Sequence, residues 1–402
     1  MSDSSKIARR DFLFGAVAGA ASLAVPSQSF ASTSRKLRYG IVGSGYRSRG
    51  AHLKILHDYI PEVEIVALCD ITPENLKEGL KICGPATVGY SDYRQMLAQH
   101  PELDAVVAVV PNYKHAEVTI AALEAGKHVL TEKPLATHLA DADRMMRAAE
   151  EHGNILQVGF QRRYSNSFQR MHDLIHQGEI GSVEYVFAAL FRGDWNPRSW
   201  KYTDPKTGER TNWRFLTLTC GSALLEDGIH ELDLIHWLVD AEPQRIEAVG
   251  GNNIFRDRET VDHAGLLIQF SNEVKCNFGF TIFTPGTPEG PTMRFFGSKA
   301  EMHLERDGHQ GLIVIHYYSG KSEKVPVPDL RPEEEELRKS QVTDGHLDIE
   351  TYREHLAFIR SMTTGEPPLL NGKVGKDAIH ISLASERSLR TGNPVGWDDE
   401  SL

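Results

Sequence analysis

The chain has 402 residues, too many for one ordinary domain and enough for two. Hydrophobic residues make up 40% and charged residues 25%, the balance of a soluble globular protein with ample core. The net charge of −11 is spread along the chain and not gathered in blocks, which argues against nucleic acid or an anionic membrane as a partner.

The first residues stand apart. Arg9-Arg10-Asp11-Phe12-Leu13 precedes a mildly apolar stretch at 15–25 and then Ser29-Phe30-Ala31. Twin arginines, a short apolar region and a small-x-Ala site predict a twin-arginine export signal over 1–31, to be set aside in reasoning about the fold. Its removal takes the net charge from −11 to −12, because the segment holds three basic and two acidic residues. A periplasmic or otherwise exported enzyme is expected. After this segment no apolar run reaches the roughly 18 residues of a spanning helix.

From 37 to about 157 short apolar strands alternate with amphipathic helices. Strands are predicted at 37–42, 64–69, 105–110 and 127–130, with a short one at 87–90. Helices are predicted at 48–57, 73–82, 93–99, 115–125 and 139–152. Strands separated by helices of this length imply a parallel sheet with right-handed crossovers. The first strand runs into Gly43-Ser44-Gly45-Tyr46-Arg47-Ser48, and the second ends in Asp70. This is the layout of a dinucleotide-binding βαβ unit. Gly43 permits the tight turn, Gly45 admits a pyrophosphate to the backbone, and Ser48 is small enough to replace the third glycine. Asp70 is placed to accept hydrogen bonds from the adenosine ribose. Because Ile71 and not a basic residue follows it, NAD is favoured over NADP.

Beyond 153 the pattern changes. A strand is predicted at 155–160, a helix at 168–177 and an alternating strand at 183–191. The stretch 192–215, with Trp195, Trp200 and Trp213, reads as a long irregular loop. A helix at 223–239 precedes strands at 247–251, 264–270, 274–281, 293–297, 300–305 and 311–317. Strands without helices between them imply a mainly antiparallel sheet. The run 331–339 is charge-rich and reads as solvated, and helices at 351–363 and 375–391 close the chain. The domains are therefore read as 36–157 for the dinucleotide and 158–402 for substrate and oligomerisation. Cys69, Cys83, Cys220 and Cys276 lack any C-x-x-C spacing, so no zinc or redox motif is expected.

Ligands of open parallel sheets sit at the carboxyl edge of the strands. Two loops there carry chemistry: Val110-Pro111-Asn112-Tyr113-Lys114-His115 and Thr131-Glu132-Lys133-Pro134. Lys133, beside the nicotinamide position, is a candidate to exchange a proton with a hydroxyl. On the helix at 223–239, Glu226, His230, Asp233 and Trp237 are spaced 4, 3 and 4 apart and share one stripe. Two carboxylates and an imidazole on an otherwise apolar helix are costly unless they pair or line a cavity. His230 is either an acid–base group or a core histidine held by Asp233.

The order Gly-x-Gly, Pro-Asn-x-x-His, Glu132-Lys133-Pro134, Gly159-Phe160-Gln161-Arg162-Arg163-Tyr164 and an acidic-x-x-x-His-x-x-Asp helix resembles the glucose–fructose oxidoreductase / inositol dehydrogenase / MocA family. The likeness covers essentially the whole chain after the signal. It implies a Rossmann domain followed by an α+β domain with a large open, mainly antiparallel sheet. It also implies hydride transfer between a sugar, glycoside or polyol and NAD. In this resemblance Lys133 and His230 match the catalytic pair, and Glu226 stands where many members have aspartate. Tyr46, Arg47, Ser48, Pro111, Asn112, His115, Glu132, Gln161 and Arg162 would lie along the cofactor, and Tyr164, Asp227 and Asp233 near a carbohydrate substrate. No metal is implied, and a homo-oligomer, dimer or tetramer, is expected. Because free NAD is scarce outside the cytoplasm, an exported enzyme would keep its cofactor bound. The alternatives are a sugar–sugar oxidoreductase, an NAD-dependent glycosidase that oxidises, eliminates and re-reduces, and a sugar-binding protein without catalysis.

Overall fold

The computed structural model describes residues 35–195, 201–203, 208, 210–284, 292–307, 310–344 and 348–399. The export signal read at 1–31 and Trp200 lie outside them. Six strands form a parallel sheet: β1 (Leu37–Val42), β2 (Val63–Cys69), β3 (Val88–Tyr90), β4 (Ala105–Ala108), β5 (His128–Glu132) and β6 (Leu156–Gly159). Their order is β3-β2-β1-β4-β5-β6, the doubly wound arrangement. The continuous apolar runs of β1, β4 and β5 follow from burial on both faces.

Register decides where the chemistry emerges. Val42 lies opposite Cys69 and Ala108, Ala108 opposite Thr131, and Glu132 opposite Gly159. The strands therefore end level, and Gly43, Asp70, Val109, Lys133 and Phe160 leave along one edge. β4 closes at Ala108, two residues before the predicted end, which frees 109–111 to turn towards this edge. β6 pairs with β5 through Gly159, so the first sheet continues past the boundary read at 157. The helix expected at 48–57 is present as two consecutive wide turns, Ser48–Leu53 and Ile55–Tyr59.

The second sheet has nine strands: β7 (Val183–Phe191), β10 (Pro243–Gly251), β11 (His263–Phe270), β12 (Lys275–Thr281), β13 (Thr292–Gly297), β14 (Ala300–Asp307), β15 (Gln310–Tyr317), β16 (Ser322–Pro326) and β17 (Val395–Gly396). A separate small hairpin joins β8 (Lys201–Thr203) to β9 (Arg210–Asn212) inside the long loop. In this sheet only the β7–β12 pair is parallel; the remaining pairs are antiparallel. Val186, Leu266, Phe278, Phe280 and Phe295 face a core shared with Leu232, Ile235 and Ile381 from the helices Ile229–Val239 and Gly372–Thr391.

The charge-rich run at 331–339 is solvated only in part: Pro332, Glu333, Glu336 and Lys339 are exposed, but Glu334 and Leu337 are buried. It begins the helix Pro332–Asp344, which drives Leu337 into the core and buries Glu334 between Arg331 and Arg353. The helix Ile349–Thr364 then returns to the first sheet, where Tyr352, Phe358 and Ile359 pack with Tyr39, Ile41 and Leu56.

Candidate active site

Gly43 adopts φ 97°, and a Cβ there would stand 2.0 Å from the Val109 carbonyl oxygen, so only glycine fits between β1 and the loop after β4. A Cβ on Gly45 would meet nothing within 4 Å, which leaves an open backbone face at this edge. Asp70 accepts the Ser44 N–H at 2.7 Å through one oxygen and the Thr72 N–H at 2.7 Å through the other. A carboxylate offers about four lone-pair sites, so two remain for the hydroxyls of a ribose. On the far side, Gln161 Oε1 and His230 Nδ1 are buried without a hydrogen-bond partner among the described residues. A glycine turn with its backbone open, a strand-end acid and buried polar atoms awaiting partners fit a dinucleotide laid along this edge.

Not all the expected cofactor residues face that way. Tyr46 is exposed and Ser48 is buried behind the turn. Arg47 turns from the edge and donates Nε–H to Glu132 at 2.7 Å, Nη1–H to Asp348 at 2.8 Å and Nη2–H to Thr351 at 2.9 Å. Glu132 also meets His52 Nε2 at 3.0 Å, and His52 Nδ1 meets His355 Nε2 at 3.0 Å. Burial alone would raise the Glu132 pKa; the Arg47 charge and the His52 hydrogen bond outweigh it and hold the carboxyl well below its ordinary range. Its second oxygen accepts the Lys133 backbone N–H at 3.1 Å. Arg47 and Glu132 therefore brace the glycine loop, Lys133 and the helix Ile349–Thr364 against one another. Pro111 opens the short turn Asn112–Lys114. His115 is buried with Nδ1 2.5 Å from the Pro134 carbonyl and Nε2 2.8 Å from that of Val110. Burial lowers its pKa, so the neutral ring donates to one carbonyl at a time and ties the two chemical loops together.

Lys133 and Glu226 meet. Lys133 Nζ donates to the Glu226 carbonyl oxygen at 2.6 Å and lies 3.3 Å from the carboxylate Oε2. The same oxygen accepts from Asn112 Nδ2 at 3.0 Å, while Oε1 accepts from Arg214 Nε at 2.7 Å and from its Nη2. Burial works to raise the Glu226 pKa, but the Arg214 and Lys133 charges prevail and hold it at about 2. Glu226 is thus a fixed anion and not a proton carrier at neutral pH. His230, one turn further on, packs edge-to-face against Phe160 at 6.0 Å. Burial first, then the Arg162 and Lys133 charges, push its pKa well below the ordinary value, so the imidazole is neutral.

The stripe read along this helix divides. A wide turn at Leu224–Gly228 precedes the regular helix Ile229–Val239. Glu226 and His230 face the first domain's edge. Asp233, expected at the substrate and considered as the holder of His230, instead takes Arg163 on both oxygens, at 2.9 and 2.6 Å. The Arg163 guanidinium also lies over the Trp237 ring, 5.2 Å from its centre. Asp227 accepts from Arg192 Nη1 at 2.9 Å and Trp195 Nε1 at 2.5 Å. Tyr164 is buried in the first core, away from any open face. Three partners along this turn escaped the sequence reading: Arg192 and Arg214, in the loop 192–215, and Glu231, which is fully buried against Arg162. The Arg162-Arg163 doublet facing Glu231 and Asp233 was the available signal, since each arginine takes one acid.

The fold and this edge define a dinucleotide-dependent enzyme. Residues 37–160 match the oxidoreductase family with an NAD-binding Rossmann fold, and 168–303 match the GFO/IDH/MocA C-terminal domain. The chain belongs to the Gfo/Idh/MocA family of oxidoreductases, and its cofactor is NAD. It is similar to the inositol 2-dehydrogenase of Salmonella typhimurium, at 29% identity over 63% of this chain and 72% of that one. It is similar over more of its length to the myo-inositol 2-dehydrogenase of Thermotoga maritima, at 25% identity over 90% of this chain and 99% of that one. Among solved structures, the aldose–aldose oxidoreductase of Caulobacter crescentus shares the fold, with TM-score 0.71, 23% identity, and coverage of 90% and 100%.

Proposed function

We propose that the enzyme oxidises a secondary hydroxyl of a sugar or polyol at this edge, with Lys133 and His230 handling the hydroxyl proton. The reading is carried by one observation: the Lys133 ammonium is pinned 3.3 Å from a buried, permanently ionised Glu226 beside a neutral His230 whose Nδ1 has no described partner. NAD, when bound, supplies the hydride acceptor. Lys133 donates a hydrogen bond to the substrate oxygen, and Glu226, Asn112 and Glu132 fix its position. His230 accepts the proton as the C–O bond gains double-bond character. Polyol substrates accord with the names of the inositol dehydrogenases to which the chain is similar. The glycoside-cleaving alternative adds elimination and re-reduction steps that no residue of the site calls for.

The enzyme acts outside the cytoplasm in this proposal, on the strength of Arg9-Arg10 and Ala31. It does so as a homo-oligomer, for Tyr185, Phe187, Phe191, Val249 and Leu267 stand exposed on the uncovered face of the nine-stranded sheet. Purified protein should release NAD on denaturation and form NADH with a sugar or polyol from a screened panel. Lys133→Met should lower kcat by about 10²–10⁴ while nucleotide is still bound. Absence of nucleotide together with absence of any reduction would sink the reading. Replacing both signal arginines by lysine should strand active enzyme in the cytoplasm, and undiminished export would refute the twin-arginine route.

A further inference from the structure

Around residues 226–231 the charges differ in depth as well as in number, four cations facing three carboxylates. Four cations surround residues 226–231: Lys133 and Arg214 on Glu226, Arg192 on Asp227, and Arg162 on Glu231. The carboxylates are 2%, 6% and 0% exposed, whereas the cations are 15%, 17%, 49% and 32% exposed in the same order. Every anion points into the protein and every cation keeps part of its surface towards solvent. Groups arranged in this way present positive potential towards solvent. His230, buried nearby, has its protonated form disfavoured first by burial and then by the Arg162 and Lys133 charges, with Glu132 working the other way.

Arg192 and Arg214 lie on the second domain's side of the turn, away from the glycine loop. Among the described residues Arg192 meets Asp227 through Nη1, and its guanidinium is half exposed. A guanidinium held by one buried acid, with further N–H groups in a fixed fork, recognises planar or tetrahedral oxyanions. We propose that the substrate is an acidic carbohydrate, bearing a carboxylate or a phosphate monoester, and that Arg192, supported by Arg214, seats its anionic group. The inference rests on the oxidoreductase reading above and names the substrate class for the same site.

The test uses NADH-loaded enzyme and calorimetric titration, so that binding is read apart from turnover. Glucuronate, galacturonate, gluconate and glucose 6-phosphate are compared with glucose, galactose and glucitol. At least one anion should bind about 10- to 100-fold more tightly than its neutral counterpart, and the preference should shrink in high salt. Whether a carboxylate or the phosphate gains most identifies the anion. Arg192→Gln should bring the ratio of anion to neutral-sugar affinity close to one, and Arg192→Lys should retain part of the preference. The proposal is overturned if no anion binds more tightly than its neutral counterpart, or if the preference survives in Arg192→Gln. Tight binding of an acid without hydride transfer to NAD would refute the proposed reaction and leave this inference standing. Turnover of neutral sugars without any anionic preference would do the reverse.

Discussion

Replacing Glu226 by Gln tests the centre of the site. The substitution keeps the shape and removes the charge that Lys133 and Arg214 share. At 3.3 Å, Coulomb attraction between Lys133 and Glu226 is about 5 kcal/mol at an effective dielectric of about 20. Much of that is offset by desolvation already incurred, so the measurable loss is the cost of leaving buried charge unmatched, about 3–5 kcal/mol. At about 2 cal/mol/K of unfolding entropy per residue, a chain of this length should then melt about 4–6 °C lower. The ammonium would also lose its nearest anion and swing from the hydroxyl position, so kcat should fall by about 10² or more. Thermal melts of the apo protein and steady-state kinetics of the NAD-loaded enzyme measure the two effects separately. Glu226→Asp, which keeps the charge on a shorter arm, should recover most of the stability and only part of kcat. If Glu226→Gln melts like the parent and turns over at the parent rate, Glu226 neither neutralises nor positions Lys133.

Asp233→Ala should destabilise the protein by about 3–5 kcal/mol, because Arg163 would remain buried without its anion, yet KM should hold, since Asp233 does not reach the cleft; a large KM change would return it to the substrate. The His230 pKa lies well below 6.5, so the base stays unprotonated as the pH falls and kcat/KM should remain flat from pH 8 to below 6.5. Stability moves the opposite way on acidification: the unfolded imidazole takes up a proton near pH 6.5 and the folded one does not, so the folded state weakens below that pH. A kinetic break at pH 6.5–7 that disappears in His230→Ala would refute the buried-base assignment. Asp70→Ala should weaken NAD more than NADP, measured by nucleotide titration, because the carboxylate is held by Ser44 and Thr72 where it would meet the ribose and repel a 2′-phosphate.

What was legible in the sequence was what local spacing fixes. A glycine turn followed about 25 residues later by a strand-end acid left one placement for Gly43 and Asp70, and the alternation of short strands and helices dictated a parallel sheet with level carboxyl ends. Helical periodicity also put Glu226 and His230 on one face. It could not say which neighbours that face would meet, so Asp233 shared the stripe yet took Arg163 instead of the cleft. Arg47 shows the same limit: its place beside Gly45 suggested the cofactor, but its acceptors Asp348 and Thr351 lie 301 and 304 residues away. Such partners are chosen by tertiary packing, because a buried guanidinium takes whatever carboxylates the fold brings within reach. The charge-rich run at 331–339 misled in part for that reason, since Glu334 is buried against Arg331 and Arg353 while Glu333 and Glu336 face solvent. In this chain arginine placement is the element local pattern conveys least. Arg162, Arg163, Arg192 and Arg214 each hold a buried acid on the same helical segment, so the residues that arrange this turn are those whose roles depend most on the completed fold.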